Sequence, residues 1–368
     1  MPLAAMQRHL PVPQCPVQGE AVRPPSPPAP IAGFYRFQIS THLLMYALMN
    51  AQSELSWIGQ DLVRPECVLA TSSGSLFTAD WRGGVVQRLP DGRQRLYTAP
   101  RSDGLPLRPN GIALLADGSF LLAQLGDRDG GVWRLWRDGR VEPWLLEVQG
   151  QALPPTNFVL PDAAGRTWVT VSTQRQPRAL GYRRDGGDGF IARVDARGAA
   201  VVAEGLGYAN EVALHPGGDW LYVNETFARR LSRFAIDARG NLGQRETVTE
   251  FGAGTFPDGL AFDEQGHAWV VSIVSNRLIR VAPDGTQTLW LEDADSAHLD
   301  AVEAAYQDGT LGRPHLDQVH SRQLRSVSSI AFAGADRRTA VLGCLLGERL
   351  ATLRLPVAGV PPSHWSFT

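Results

Sequence analysis

Thr255-Phe256-Pro257-Asp258-Gly259-Leu260-Ala261-Phe262 is a stretch that returns, in weaker form, five more times along the chain. Each copy places an oxygen-bearing side chain just before a short apolar run. The six residues that open the copies are Glu66, Asn110, Asn157, Asn210, Asp258 and Ser328. Subtracting their numbers gives separations of 44, 47, 53, 48 and 70, the last lengthened by an insertion between Asp293 and Arg325. A period near 45 residues is typical of a propeller or a solenoid.

The segments between these residues follow one order, in which short apolar strands alternate with glycine-containing turns. Turns such as Ala116-Asp117-Gly118 and Pro283-Asp284-Gly285 indicate hairpins, because glycine readily adopts positive φ. Strands such as Thr167–Val171 consist of the β-branched and aromatic residues that pack sheets. Five units of four strands and a sixth follow, so we predict an all-β, six-bladed propeller. The sixth unit lacks its outer strand, and we expect residues 55–62 to supply it.

Composition limits the kinds of partner that this protein is expected to bind. The 368 residues include 35 basic and 37 acidic side chains, a formal charge of −2, which gives no reason to expect nucleic acid or an anionic membrane. A small molecule is the expected partner, bound by a monomer or weak homo-oligomer. Three scattered cysteines form neither a disulfide framework nor a zinc site. With no signal peptide and no apolar run of about 20 residues, we expect a soluble, cytoplasmic protein.

Three regions are predicted along the chain. Residues 1–38 are rich in proline and are expected to form a disordered or extended arm. Residues 39–61 are expected to form a short helix and the closing strand of the sixth blade. Residues 62–368 are expected to form the propeller domain.

Blade topology predicts that the six repeated residues meet at one mouth of the central channel. Glu66, Asn157, Asn210 and Asp258 provide two carboxylates and two amide oxygens, a donor set that suits a hard divalent cation. We therefore predict a central metal site. Asn110 completes the polar ring as a candidate substrate ligand. For any one position the alternative is ordinary turn chemistry, since Asn-Gly and Asp-Gly are common in turns.

Other polar residues fall at the same mouth in this topology. Arg82 and Glu225 are candidate substrate-binding residues, with a loop anchor as the alternative for Glu225. Ser328 is expected to form hydrogen bonds rather than act as a nucleophile, because the sequence places no histidine to activate it. The loop after Thr173 carries four arginines that either bind an anionic substrate or form a solvated basic surface: Arg175, Arg178, Arg183 and Arg184.

In combination, several of these phrases resemble the family of senescence marker protein (regucalcin), gluconolactonase and luciferin-regenerating enzyme. They are Arg64-Pro65-Glu66, Pro155-Thr156-Asn157-Phe158-Val159, Ala209-Asn210-Glu211-Val212 and Phe256-Pro257-Asp258-Gly259. The resemblance implies a six-bladed propeller with one divalent metal in its channel, often Ca²⁺, and hydrolysis of sugar lactones. It implies that Glu66, Asn157, Asn210 and Asp258 hold the metal and that Asp258 is also the general base.

The resemblance is incomplete at the sugar-binding positions. Pro155 and Phe158 stand where animal lactonases of the family carry an arginine and an aspartate. We therefore expect a metal-dependent hydrolase that opens a lactone ring, with a sugar lactone other than gluconolactone as a candidate substrate. Ca²⁺ is the first candidate cofactor, with Mg²⁺, Mn²⁺ or Zn²⁺ as alternatives. The alternative functions are hydrolysis of phosphotriesters or other esters on the same metal, and a non-catalytic binding propeller plugged by the metal.

Overall fold

A computed structural model describes residues 55–101 and 103–368. The predicted N-terminal arm and the predicted helix near residues 39–50 lie outside this range. The described chain forms six four-stranded antiparallel sheets, so the predicted all-β, six-bladed propeller is confirmed. The sheets follow one another along the chain as six blades.

Five blades are built from consecutive strands. Blade 1 contains β2 (Val68–Ala70), β3 (Leu76–Asp80), β4 (Gly84–Arg88) and β5 (Gln94–Thr98), and blade 2 contains β6 (Pro109–Leu114), β7 (Phe120–Gln124), β8 (Val132–Leu135) and β9 (Val141–Leu145). A small hairpin, β10 (Glu147–Val148) and β11 (Gln151–Ala152), precedes blade 3, which contains β12 (Phe158–Pro161), β13 (Thr167–Val171), β14 (Gly189–Asp195) and β15 (Gly198–Leu206). Blade 4 contains β16 (Ala209–Leu214), β17 (Trp220–Glu225), β18 (Arg230–Ile236) and β19 (Leu242–Glu250), and blade 5 contains β20 (Thr255–Phe262), β21 (Ala268–Val274), β22 (Arg277–Val281) and β23 (Gln287–Leu291).

Blade 6 is closed by a strand from before blade 1. Its inner strands are β24 (Val327–Ala333), β25 (Thr339–Cys344) and β26 (Leu350–Arg354), and its outer strand is β1 (Ser56–Ile58). Trp57 pairs antiparallel with Ala351, and Ile58 pairs with Leu350. β1 lies within the segment assigned to this place from the sequence, and it covers an edge that would otherwise expose unpaired backbone groups.

The outermost strand is the most exposed strand of each blade, and the residue types differ accordingly. All five residues of β13 are buried, and its Trp168 packs between neighbouring blades at 0% exposure. In contrast, β19 at the rim is mostly exposed and reads Leu-Gly-Gln-Arg-Glu-Thr-Val-Thr-Glu. The inner strands therefore anchor residues at the channel on a rigid, close-packed support.

The chain after β26 runs across one face of the ring. This C-terminal tail, residues 358–368, accepts hydrogen bonds from two blades. Ser72 N donates to Trp365 O, and Glu264 N donates to Ala358 O. The Phe367 ring packs edge-on against Phe77, with ring centroids 6.4 Å apart. The tail thereby contacts blades 1 and 5 on the side where the first turn of each blade lies.

The opposite face carries both insertions. The loop of blade 3 includes a 3-10 turn (Arg178–Gly181), and the insertion before blade 6 forms α1 (Ser296–Gln307) and α2 (Arg313–Leu316). Asp295 caps α1 by accepting a hydrogen bond from His298 N at 2.8 Å. Among the described residues, no helix is long and apolar enough to span a membrane.

Candidate functional site

The innermost strands place the repeated polar residues at one end of the channel. In β6, β16, β20 and β24 the pairing register shifts at the position of the repeated residue. Such a β-bulge turns a side chain away from the regular alternation of the strand. Asn110, Asn210, Asp258 and Ser328 lie within these bulges, whereas Glu66 and Asn157 precede their strands.

Neighbouring blades are tied to one another at this level of the channel. Asn110 Nδ2 donates to Asn157 O at 3.1 Å, and Ser328 Oγ donates to Glu66 O at 3.1 Å. Within blade 4, Asn210 Nδ2 donates to Thr226 Oγ1 at 3.0 Å. These bonds use the amide nitrogens and the serine hydroxyl, and they leave the side-chain oxygens of the asparagines free to point elsewhere.

Five side-chain oxygens of the repeated residues are buried and have no hydrogen-bond partner within the described residues. They are Glu66 Oε2, Asn110 Oδ1, Asn157 Oδ1, Asn210 Oδ1 and Asp258 Oδ1. Their residues are at most 5% exposed and line one cavity of about 50 Å³. Leaving buried oxygens unsatisfied costs on the order of 1–3 kcal/mol each, so this cluster calls for a bound partner.

The electrostatics of the cavity favour a positively charged partner. Burial, followed by the negative charge of Glu66, raises the pKa of Asp258 well above its usual range. Arg64 offsets part of this charge, with its Nη2 2.8 Å from Glu66 Oε2 in an ion pair that lacks hydrogen-bond geometry. Two carboxyl groups and three amide oxygens around one space form the kind of all-oxygen donor set that Ca²⁺ and Mg²⁺ prefer.

A metal at this place would depend on amide oxygens. Within the described ranges there is no group of three or more His, Cys, Asp or Glu side chains that could hold a metal ion. Glu66 and Asp258 therefore need Asn157 and Asn210 to complete a coordination shell. All four residues have an oxygen without a hydrogen-bond partner that fits this role, and a set of oxygen donors alone is hard rather than soft.

The two insertions form the outer wall of this cavity. Arg313, Leu316 and Asp317 line it from α2 and its end, and Arg178 and Tyr182 line it from the blade 3 loop. The insertion before blade 6, whose position the sequence leaves open, thus covers the mouth. A larger groove of about 490 Å³ lies elsewhere, beside Trp57 and Arg349, and contains none of the repeated residues.

The structure places two of the predicted substrate-binding residues away from the cavity. Glu225 is fully buried and is bound by Arg230 through two hydrogen bonds of 2.7 Å and by Ser232 Oγ at 2.6 Å. Arg82 points outward and donates to both carboxylate oxygens of Asp80 at 2.8 Å. Both side chains are held by ion pairs within their own blades, and neither belongs to the proposed site.

Two residues that support the backbone next to Asp258 and two that line the cavity are not in the set predicted from the sequence. Asn224 Nδ2 donates to Asp258 O at 3.0 Å and to Gly259 O at 3.1 Å, and Glu211 Oε2 accepts from Leu260 N at 2.9 Å. Tyr182 and Tyr208 close the wall as an edge-to-face pair. The sequence signal for Asn224 is the strand alternation of Leu221–Glu225, which puts Asn224 and Glu225 on opposite faces.

Comparison with known proteins agrees with this fold. The profile of the "SMP-30/Gluconolactonase/LRE-like region" matches residues 64–292. A 6-deoxy-6-sulfogluconolactonase from Pseudomonas putida is 32% identical over 245 residues, 62% of this chain and 75% of the relative.

Two solved structures share the fold at low sequence identity. A gluconolactonase from Xanthomonas campestris matches with a TM-score of 0.60 at 19% identity, over 82% of this chain and 89% of its own. A calcium-binding regucalcin from Agrobacterium tumefaciens matches with a TM-score of 0.60 at 17% identity, over 83% and 96%. The chain therefore belongs to the SMP-30/gluconolactonase/LRE-like family, which includes hydrolases of lactone ester bonds.

Proposed function

We propose that this protein is a divalent-metal-dependent lactonase that acts on a sugar-type lactone. The observation that carries this proposal is the cluster of five buried oxygens without a hydrogen-bond partner around one cavity at the mouth of the propeller. A relative that opens a sulfonated gluconolactone supports the substrate class. Pro155 and Phe158, which replace the sugar-binding pair of the animal lactonases, favour a substrate other than gluconolactone itself.

The proposed metal ligands are Glu66, Asn157, Asn210 and Asp258, and Ca²⁺ is the first candidate. When bound there, a divalent cation would act as a Lewis acid on the lactone carbonyl. The chain itself fixes the donors, because the bulges orient Asn210 and Asp258 and the hydrogen bond from Asn110 to Asn157 O joins blades 2 and 3.

Asp258 is the proposed general base. Its carboxylate accepts a proton from the water whose oxygen attacks the carbonyl carbon. The bond between the carbonyl carbon and the ring oxygen breaks, the ring oxygen takes a proton, and the product is a hydroxy acid. Asn224 supports this step by holding the backbone of Asp258 and Gly259 in place.

Replacing Asp258 by Asn tests this assignment. Asn has nearly the same shape but cannot take up the proton, so we expect a folded protein whose lactone turnover falls more than about 100-fold. Ser328→Ala is the matched control at the sixth repeated position and should retain turnover. Full activity of Asp258→Asn would contradict the role of Asp258, and loss of activity in Ser328→Ala would show that the hydrogen bond from Ser328 Oγ to Glu66 O is needed to position Glu66.

Metal removal separates lactonase activity from the alternatives. EDTA should abolish turnover on a panel of aldonolactones and aliphatic lactones, and Ca²⁺, Mg²⁺, Mn²⁺ or Zn²⁺ added back should restore it. Because a ligand of the folded state raises stability, the restoring ion should also raise Tm. Turnover of phosphotriesters alone would indicate the other hydrolase function, and a Tm shift without any turnover would indicate a binding propeller.

A further inference from the structure

Three arginines line the candidate cavity, and they differ in how their charge is balanced. Arg64 Nη2 lies 2.8 Å from Glu66 Oε2, and Arg313 Nε lies 2.8 Å from Asp317 Oδ2. Arg178 lines the same cavity without a hydrogen bond or ion pair to any residue in the described ranges. Its guanidinium is charged at any physiological pH, and Glu66 and Asp258 attract it across the cavity without forming an ion pair with it.

The loop that carries Arg178 is held in place by hydrogen bonds and by aromatic packing. Thr173 Oγ1 donates to Asp188 Oδ1 at 2.9 Å, and Arg175 Nη1 donates to Leu180 O at 3.0 Å, so the loop is tied at both ends. The Tyr182 ring, just after the 3-10 turn, packs against Tyr208 and Phe227 at 5.5 and 4.7 Å. Arg178 is therefore presented to the cavity by a fixed support.

The other arginines of this loop have different surroundings. Arg183 pairs with Asp185 at 2.8 Å, and Arg175 lies 3.9 Å from Asp188. Neither these two nor Arg184 lines the cavity. Of the four candidates for anion binding in the sequence, the geometry selects Arg178.

With a divalent cation bound, the net charge of the cavity wall would be positive, which favours binding of an anion. The three arginines balance the three carboxyl groups of Glu66, Asp258 and Asp317, and a divalent cation at the proposed metal site adds two positive charges. A planar guanidinium binds a carboxylate, phosphate or sulfonate through two parallel hydrogen bonds. Resting on the proposed lactonase function, we infer that Arg178 is an anion-binding subsite and that the substrate is a lactone with a negatively charged group remote from its ring carbonyl.

Kinetics on neutral and charged lactones test this subsite. Glucono-1,5-lactone is the neutral substrate, and glucaro-1,4-lactone, 6-phosphoglucono-1,5-lactone and the 6-deoxy-6-sulfo lactone carry a carboxylate, a phosphate and a sulfonate. In Arg178→Gln, kcat/KM for the preferred charged lactone should fall about 10- to 100-fold, the range of a hydrogen bond between charged groups, with the neutral lactone within about 3-fold. Arg178→Lys should recover part of the loss. Arg183→Gln removes the same charge from the same loop and should change kcat/KM for neither the charged nor the neutral lactone.

A ligand that cannot be hydrolysed makes the result independent of turnover. 1,5-Anhydroglucitol 6-phosphate has no ester ring, and by calorimetry it should bind the wild type more tightly than 1,5-anhydroglucitol does. Arg178→Gln should abolish this preference. Selective phosphate binding without hydrolysis of any lactone would support the subsite and contradict the lactonase; equal effects of Arg178→Gln on neutral and charged lactones would overturn the subsite and leave the lactonase standing.

Discussion

At the scale of single residues, Gly259 shows how the channel depends on close backbone contact. A Cβ added there would lie 2.4 Å from Ser329 Cα and 2.7 Å from Ser328 O, and neither backbone atom is free to move. We expect Gly259→Ala to cost about 1 to 3 kcal/mol of unfolding free energy, as overpacking does, and to displace the adjacent Asp258. Urea denaturation and lactone kinetics measure both effects.

Gly252 is the matched control for this prediction. It precedes the same strand, β20, and an added Cβ would meet no atom within 4 Å. Gly252→Ala should therefore change stability by less than about 0.5 kcal/mol and leave turnover intact. Equal stability of the two variants would show that blades 5 and 6 can separate at this point without cost.

The polar ring could be predicted from the sequence because its members share one position in every repeat. The direction in which an individual side chain points near a strand end could not be predicted from the sequence. Glu225 and Arg82 fall at the predicted mouth, yet a step of one residue reverses the face of a strand, and Asn224 rather than Glu225 contacts Asp258. The glycines that follow Asn110 and Asp258 allow close packing rather than a turn. An added Cβ at Gly111 or Gly259 would collide with a neighbouring strand.

At the scale of elements, α1 is held over the mouth by one ion pair and an aromatic cluster. Arg229 donates to both carboxylate oxygens of Glu303, at 3.0 and 2.6 Å, and Gly254 N donates to Glu303 Oε2 at 3.0 Å. Tyr306 packs edge-on against Phe256. The position of α1 depends on these contacts with distant blades, which no local sequence pattern encodes.

Glu303 makes the stability of this element depend on pH. Its hydrogen bonds with Arg229 lower the pKa of Glu303 to about 2. This contribution to stability is present above about pH 4.5, the ordinary value, and is lost as the pH falls toward 2. At pH 7 Glu303→Gln should lose about 1 kcal/mol, since the pair is partly exposed, and the difference from wild type should narrow between pH 5 and pH 3.

Thermal unfolding over this pH range, together with limited proteolysis of residues 296–325, measures the loosening of α1. Asp300→Asn provides the control, because it removes a carboxylate from the exposed face of the same helix. It should alter neither Tm nor the cleavage rate. A pH-independent difference between Glu303→Gln and wild type would contradict the assigned ion pair.

At the scale of the whole molecule, two segments outside the regular repeats hold the ring of blades together. β1 completes blade 6 beside β26, and the C-terminal tail lies against the first turns on the face opposite the cavity. The strand β1 could be predicted from the repeat, because the sixth repeat unit lacks an outer strand of its own. The tail has no repeat of its own, so only tertiary contacts such as Phe367 against Phe77 define its path.

Because the tail and the cavity lie on opposite faces, stability and substrate binding should be separable. Phe367→Ala removes a half-buried ring that also stacks under Arg137, 4.9 Å from the ring centroid, and should cost about 1 to 2 kcal/mol. The exposed neighbour Ser366→Ala should cost less than about 0.5 kcal/mol. Urea transitions followed by tryptophan fluorescence and by circular dichroism should shift together in Phe367→Ala while KM stays at the wild-type value. A change in KM would mean that the two faces are coupled through the channel, and a shift in only one of the two probes would mean that the blades do not unfold as one unit.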